Sequence, residues 1–190
     1  MKDKILKSIA SHKKLLAEFE TDGPERIIKA VDIITSSIKA GGCIYICGNG
    51  GSAADAQHIA GEIVGRFLRE RKGLPAVALS TDTSVITCIS NDYGFEDIFA
   101  RQVEALGRKG DVLWAMSTSG TSKNIIKAIP IARELEMKII GFAGKSGSTL
   151  EKLSDVCINV PGQYAYEIQQ IHQIAYHIIC DLVEQNFTKG

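Results

Sequence analysis

The chain has 190 residues, of which 45% are hydrophobic and 23% charged, proportions that are ordinary for one globular domain with its own core. Lysine plus arginine and aspartate plus glutamate each number 22, so the formal net charge is zero. This balance excludes the basic footprint of a nucleic-acid-binding protein, and no stretch approaches the roughly 18 apolar residues of a membrane-spanning helix. We therefore expect neither a nucleic acid nor a membrane as a partner.

The beginning of the chain and its cysteines indicate a cytoplasmic protein. Residues 1–5 lack the apolar centre of a secretory signal. The cysteine count is odd and no two cysteines form a C-x-x-C pair, so the pattern favours neither a disulfide framework nor a zinc ribbon. Buried thiols in a reducing compartment are the simplest interpretation. The five are Cys43, Cys47, Cys88, Cys157 and Cys180.

The first 40 residues show two helical patterns. Apolar residues recur at helical spacing over 5–19 and again over 27–38. Residues 21–24 separate the two patterns, and Pro24 suits the first turn of a second helix. The sequence therefore predicts two amphipathic N-terminal helices.

Beyond residue 42, short apolar runs alternate with helical patterns. The runs are apolar on both faces, as the strands of a parallel sheet covered by helices on each side must be. We therefore predict a doubly wound α/β fold with a five-stranded, mainly parallel sheet, whose ligands bind at the carboxyl ends of the strands. The predicted strands are 43–47, 76–79, 112–116, 139–142 and 156–160. The predicted helices are 52–67, 84–106, 122–136 with a kink at Pro130, 148–154 and 163–187.

A glycine-rich turn, residues 48–53, follows the first strand and opens a helix. Its glycines allow a ligand to approach the backbone closely, and the helix offers free N–H groups to an anion. The turn also fits G-x-G-x-x-A, the dinucleotide fingerprint, but that fingerprint needs an acidic residue at the end of the second strand. None stands there, since Asp82 comes too late. We therefore favour a small phosphorylated sugar and expect no nucleotide cofactor.

The loop after the third strand carries the strongest functional signal. Five of the six residues from 117 to 122 bear hydroxyl groups, which is more than an ordinary helix cap needs. Hydroxyl and backbone N–H groups at the beginning of a helix can surround the oxygens of a phosphate. The sequence thus predicts a phosphate-binding loop. Residues 90–94, assigned to the loop after the second strand, offer sugar-binding polar groups, but they are equally typical of a turn.

An acid–base pair follows the glycine-rich turn. His58 and Glu62 are four residues apart and project from one face of a helix. On the last helix His172 and His177 are about 140° apart and cannot serve one site, whereas Gln169 and His177, about 80° apart, can border one cleft. Each histidine also has a plain structural interpretation. A divalent metal is compatible with His58, Glu62, Gln169 and His177, although an amide is an uncommon ligand.

Together these motifs resemble the sugar isomerase (SIS) domain family, and within it the phosphoheptose isomerases, which act on sedoheptulose 7-phosphate. The resemblance covers nearly the whole chain. We therefore expect one SIS domain over residues 1–190, with residues 1–40 packing on it and lying in the oligomer interface. The matching segments are 47–52, 55–58 with Glu62 and Arg66, 90–95, 117–122, and 168–172 with His177.

The resemblance implies an aldose–ketose isomerisation through an enediol(ate), the first step of nucleotide-activated heptose biosynthesis, in a homotetramer. Glu62 matches the family's general base, which moves a proton between the first two sugar carbons, and His177 matches the general acid at the neighbouring oxygens. Arg66 matches a residue near the site. Matching substrate-binding positions are Asn49, Gly50, Gly51, Ser52, Glu62, Asn91, Asp92, Ser117, Thr118, Ser119, Ser122 and Gln169.

The resemblance also implies a zinc ion in each subunit, with His58, Glu62, Gln169 and His177 as its ligands. Two alternatives remain open. One is a non-catalytic binding module like the family's DnaA initiator-associating protein, which keeps the fold but lacks the glutamate and the final histidine. The other is a sensor of sugar phosphates, which needs the phosphate loop without the acid–base pair. Glu62 and His177 are both present here, which favours the enzyme.

Overall fold

Five short strands form one parallel sheet in the order β2-β1-β3-β4-β5, in a computed structural model that describes residues 1–188. All four neighbouring pairs are parallel, and the predicted doubly wound α/β fold is confirmed. The strands are β1 (Ile44–Gly48), β2 (Ala76–Ala78), β3 (Val112–Ser117), β4 (Lys138–Ala143) and β5 (Val156–Asn159).

Within the described residues seven α-helices surround this sheet. One 3-10 turn, Phe95–Asp97, lies between the third and the fourth of these helices. No helix of residues 1–188 combines the length and the apolar character needed to cross a membrane. The helices are α1 (Lys2–Lys39), α2 (Gly51–Val64), α3 (Thr83–Asp92), α4 (Ala100–Leu106), α5 (Lys123–Glu134), α6 (Thr149–Leu153) and α7 (Ala165–Gln185).

The hydrophobic core has two layers, one on each face of the sheet. Successive residues of β3 show the division: Trp114 faces the layer formed with α1, α2 and α7, whereas Leu113 faces the layer formed with α4, α5 and α6. Side chains alternate between faces along a strand, so a strand that is apolar throughout supplies both layers at once. Both side chains are fully buried.

The prediction of two N-terminal helices is wrong, because α1 continues without a break through Pro24. One buried stripe runs along a single face of α1 past the proline, through Phe19, Gly23 and Ile27. That stripe packs on α7, while Pro24 lies on the exposed side. Packing of a continuous apolar face outweighs the one backbone hydrogen bond that a proline removes.

The predicted helix at 84–106 is also wrong in its extent. It is divided into α3 and α4, and Gly94, with a φ of 109°, stands at the division. A positive φ is incompatible with a continuing right-handed helix, so the chain turns there. In contrast, Pro130 does not end α5, which runs to Glu134.

Replacing Pro24 by alanine tests the continuity of α1. Proline in a helix interior destabilises the helix by about 3 kcal/mol relative to alanine. Proline also lowers the conformational entropy of the unfolded chain, which offsets part of this loss. We expect Pro24→Ala to raise the free energy of unfolding by about 1–2 kcal/mol in urea titrations. Pro75→Ala, in the loop before β2, is the control without such a gain. An unchanged or lower stability of Pro24→Ala would contradict a continuous α1.

Candidate active site

The hydroxyl-rich loop, residues 117–122, lies at the carboxyl end of β3 and leads into α5. Ser117, the last residue of β3, is buried, and its Oγ lies 2.9 Å from Ser122 Oγ and 3.3 Å from Ser119 Oγ. Gly120 has a φ of 68°, and a Cβ at that position would lie 2.4 Å from Ser148. Only glycine fits this turn, which gathers the three serine hydroxyls on one side.

Backbone hydrogen bonds hold this loop against the segment that follows β4. The N–H of Gly144 donates to the Thr118 carbonyl at 3.0 Å, and the N–H of Leu150 donates to the Gly120 carbonyl at 2.9 Å. These two carbonyls thus face the segment after β4, whereas Ser119 and Thr121 are exposed on the surface. The loop is therefore preorganised as a set of hydrogen-bond donors at the beginning of a helix, which suits an anion.

The glycine-rich turn lies beside this loop, at the end of β1, and an amide pair joins the two. Asn49 and Asn124 exchange two hydrogen bonds, of 2.9 and 2.8 Å, between their side-chain amides. Asn124 is buried at the beginning of α5, so this pair fixes Asn49 relative to the phosphate loop. Sequence reasoning missed Asn124, which comes two residues after the last hydroxyl of the motif and carries no distinguishing pattern.

Gln169 reaches the beginning of α2 from α7. A Cβ at Gly51 would lie 2.5 Å from the Gln169 amide nitrogen, so a side chain at this position would displace the Gln169 amide. Gly50 precedes α2, and Ser52, in its first turn, is buried. The predicted substrate-binding positions of α2 and α7 are thereby brought to the same edge of the sheet as the phosphate loop.

Asn91 and Asp92 lie elsewhere than predicted. They occupy the last turn of α3 instead of the loop after β2, because the helix extends through residues that read as a turn. Both are exposed, and Asn91 Nδ2 donates to Asp92 Oδ1 at 2.8 Å. Cys88 Sγ also donates to Asp92 Oδ2, at 3.7 Å.

Glu62 and His177 face each other from α2 and α7. Their ligand atoms and those of His58 all lie within 4.8 Å of one another, and His58 Nε2 is 3.0 Å from Glu62 Oε1. Burial lowers the pKa of His177, and the neighbouring His58 lowers it further, while Glu62 acts in the opposite direction. The cluster thus combines a carboxylate that can accept a proton with an imidazole that is neutral near pH 7.

The other histidine of α7 has a structural role, as the helical geometry indicates. His172 is fully buried, with Nε2 3.3 Å from the carbonyl oxygen of Ala143, and burial lowers its pKa to about 4. Arg66, just after α2, is exposed, and its nearest carboxylate is that of Glu70, at 3.7 Å.

The cluster of His58, Glu62 and His177 fits a divalent metal. Two imidazoles and a carboxylate suit zinc, and catalytic zinc sites use three protein ligands with one position open. The 3.0 Å between His58 Nε2 and Glu62 Oε1 is close to the separation of about 3.3 Å expected for two tetrahedral ligands of one ion. The fourth predicted ligand, Gln169, packs its amide against Gly51.

A buried ion pair joins the far end of α2 to α7. Both carboxylate oxygens of Glu184 accept backbone N–H groups, from residues 67, 68 and 69, at 2.7–2.8 Å. Arg71 Nε lies 3.3 Å from Glu184 Oε1, and Arg71 also donates to the carbonyls of Glu62, at 2.8 Å, and Gly65, at 3.0 Å. Sequence reasoning missed this pair, although a glutamate on the apolar stripe of a helix was a usable signal.

Phe67, at the end of the segment that Glu184 holds, stacks on His177. The ring centroids are 5.6 Å apart and the planes lie 18° from parallel. One carboxylate therefore fixes the segment that covers one face of the proposed acid, and its arginine partner secures the end of the helix that carries the proposed base.

Comparison with known proteins agrees with this geometry. The SIS domain family model matches residues 9–144. The phosphoheptose isomerase of Helicobacter pylori strain P12 is 48% identical over 186 residues, which cover 98% of this chain and 97% of that protein. That of Helicobacter hepaticus is 53% identical over 158 residues, covering 83% and 81%. A solved structure of the phosphoheptose isomerase from Neisseria gonorrhoeae, 40% identical, gives a TM-score of 0.92 and covers 97% of this chain and 98% of that one.

The parallel sheet with a phosphate-type loop at its carboxyl edge, together with the match over residues 9–144, defines an SIS domain. At this identity over nearly its whole length, the chain belongs to the phosphoheptose isomerase family within that class.

Glu184→Gln tests the buried ion pair. Burial alone raises the pKa of Glu184, but the three backbone N–H groups and Arg71 outweigh it and hold the pKa below its ordinary value of 4.5. Breaking a buried pair costs about 3–5 kcal/mol, so we expect a loss of that size in the free energy of unfolding at pH 7. The matched control Glu70→Gln, with a 90% exposed side chain, should change stability by less than about 0.5 kcal/mol.

The pH dependence has a definite sign. A carboxyl whose pKa is lower in the folded state stabilises the fold above the unfolded-state pKa, and this contribution is lost as the pH falls through the folded-state pKa. The difference in stability between the wild type and Glu184→Gln should therefore narrow as the pH falls below 4.5. A difference in stability that stays constant down to the pH at which the protein unfolds would contradict an ionised, buried Glu184.

Proposed function

We propose that the chain is an aldose–ketose isomerase that interconverts sedoheptulose 7-phosphate and D-glycero-D-manno-heptose 7-phosphate through an enediol(ate). The observation that carries the proposal is that Glu62 and His177, from two helices, have side-chain ligand atoms within 4.8 Å of each other in a domain that also has a phosphate-type loop. Membership of the phosphoheptose isomerase family supports the heptose substrate. This step begins the biosynthesis of nucleotide-activated heptose.

The proposed reaction divides between the two residues. Glu62 removes the proton from one sugar carbon and returns it to the neighbouring carbon, a task that needs a carboxylate next to the substrate. His177 serves the two oxygens, and a neutral imidazole can still donate its remaining N–H to an oxygen as charge develops there. The lowered pKa of His177 therefore agrees with a donor that acts at neutral pH.

The substrate is held from two sides in this proposal. Ser117, Thr118, Ser119 and Ser122 bind the phosphate with the backbone at the beginning of α5. The sugar hydroxyl groups then extend towards Asn49, Gly50, Gly51, Ser52 and Gln169. Asn91 and Asp92 remain proposed substrate contacts, and both are exposed at the end of α3.

We include one zinc ion per subunit in the proposal, held by His58, Glu62 and His177, with Gln169 as the fourth expected ligand. When bound, such an ion polarises carbonyl and hydroxyl oxygens of a sugar. The three-residue cluster supports the ion through its donor types and spacing.

We also propose a cytoplasmic homotetramer built from one SIS domain over residues 1–190, of which Lys189 and Gly190 lie outside the described residues. Large apolar side chains of α1 and α7 stay exposed in one chain, and a subunit interface would bury them. They include Ile5, Leu6, Ile9, Ile28, Ile174 and Ile178.

Glu62→Gln tests the general base. We expect kcat for isomerisation of sedoheptulose 7-phosphate, followed by NMR, to fall by at least about 10²–10⁴, because the amide cannot accept the carbon-bound proton. Exposed Glu134→Gln on α5 is the matched control and should keep full activity. Full activity of a folded Glu62→Gln would refute the assignment. Absence of turnover in the wild type would favour the binding module or the sensor instead.

Ser119→Ala combined with Ser122→Ala tests the phosphate loop. Hydrogen bonds to a charged group contribute about 1.5–3 kcal/mol each, so the loss of both should raise KM for the phosphorylated sugar at least about a hundredfold. The same variant should weaken competitive inhibition by inorganic phosphate. Ser36→Ala, on an exposed position of α1, is the control. If both KM and the inhibition by inorganic phosphate are unchanged, this loop does not bind the phosphate.

A further inference from the structure

Tyr176 lies behind His58, on the side away from Glu62. Its side chain is fully buried, and its hydroxyl oxygen is 3.0 Å from His58 Nδ1 and 3.4 Å from Asp55 Oδ1. Asp55 and His58 are three residues apart on α2, so one hydroxyl of α7 reaches both side chains. A line of close polar contacts thus runs from Asp55 through Tyr176 and His58 to Glu62, whose Oε1 is 3.0 Å from His58 Nε2.

The direction of the hydrogen bond at the Asp55 end follows from the carboxylate. An ionised carboxylate only accepts hydrogen bonds, and within residues 1–188 the Tyr176 hydroxyl is the sole donor to Asp55. The second carboxylate oxygen of Asp55 is buried without a partner in the same residues, so the loss of this donor would leave the carboxylate bare. The Tyr176 hydroxyl therefore donates to Asp55, which leaves its oxygen as an acceptor that faces His58 Nδ1.

We propose that Asp55 and Tyr176 are positioning residues that keep the proton of His58 on Nδ1 and direct the free Nε2 lone pair towards Glu62 and His177. Nothing in the phosphate loop or in the acid–base pair requires these two residues. The link to zinc rests on the metal site proposed above, since a histidine binds a metal through an unprotonated nitrogen and its other N–H needs a fixed acceptor.

The proposal gives His58 a definite choice between two tautomers. Without Tyr176, the nearest acceptor for a ring proton is the Glu62 carboxylate at Nε2, so the proton moves to the side that faces the reaction. With Tyr176 donating to Asp55, a second acceptor faces Nδ1. The proposal assigns the ring proton to this acceptor, which leaves Nε2 unprotonated beside Glu62. The Tyr176 hydroxyl thereby keeps His58 Nε2 unprotonated for metal binding. It also keeps Glu62 from accepting a hydrogen bond from His58.

NMR of the metal-free protein labelled with ¹⁵N-histidine tests this directly. Long-range proton–nitrogen spectra distinguish the two ring nitrogens, and the chain has four histidines to assign. Recorded at about pH 8, above the ordinary imidazole pKa of about 6.5, the wild type should carry the His58 proton on Nδ1. Tyr176→Phe should carry it on Nε2.

Tyr45→Phe is the matched control. Tyr45 is also buried, but its hydroxyl donates to the Leu106 carbonyl at 3.1 Å, in the core layer on the other face of the sheet. Its removal should leave the His58 tautomer unchanged. If Tyr176→Phe fails to fold, Asp55→Leu removes the acceptor instead, frees the hydroxyl to donate to Nδ1, and should give the same Nε2 tautomer.

Competition with a chelator supplies a second readout. We expect Tyr176→Phe to bind Zn²⁺ about 10–100-fold more weakly than the wild type, and Tyr45→Phe to bind it equally. If the wild type binds no Zn²⁺, the proposed metal fails, while the tautomer comparison still decides the role of Tyr176. The same tautomer in the wild type and in Tyr176→Phe, or a wild-type proton on Nε2, would overturn the inference.

Discussion

The candidate site depends on the packing of α2 against α7. The proposed base Glu62 lies on one helix and the proposed acid His177 on the other, so their separation is set by this contact. The buried ion pair of Arg71 and Glu184 secures one end of it, and Tyr176 crosses it in the middle. A buried charge pair of this kind contributes little net stability compared with apolar packing, but it fixes one arrangement because any shift leaves a charge unpaired. The separation of Glu62 and His177 is therefore well defined, because a shift of α2 against α7 would leave a buried charge unpaired.

The parallel sheet supplies the second constraint. Because the strands run in one direction, the glycine-rich turn after β1 and the hydroxyl-rich loop after β3 meet at one edge, and these strands are neighbours. The amide pair of Asn49 and Asn124 locks the two loops together. Phosphate binding and proton transfer are thus held by different elements, the phosphate by α5 and the reacting carbons by α2 and α7. A sugar phosphate long enough to span both suits this arrangement.

Features that depend on local pattern could be predicted from the sequence. The order of residues alone shows which strands are apolar on both faces. It also shows the four-residue spacing of His58 and Glu62. The course of α1 could not be predicted, because Pro24 and its neighbours are typical of a turn, and only packing on α7 shows that the helix continues. Asn124 and Tyr176, the partners of Asn49 and His58, could not be predicted for the same reason. They lie on elements distant in sequence and carry no periodic signal.

The most direct test of the central claim follows the carbon-bound proton. The protein would be incubated with sedoheptulose 7-phosphate in D₂O, and product and label would be followed by ¹H and ¹³C NMR. If Glu62 removes a proton to give an enediol(ate), the aldose 7-phosphate forms and deuterium enters at the first carbon of the ketose or the second carbon of the aldose. Because Glu62 can return the proton that it removed, some turnovers add no label, and deuterium accumulates as the Glu62 carboxyl proton exchanges with D₂O over repeated turnovers. Aldose still free of deuterium at both carbons after prolonged equilibration, or no aldose at all, would contradict proton abstraction at this site.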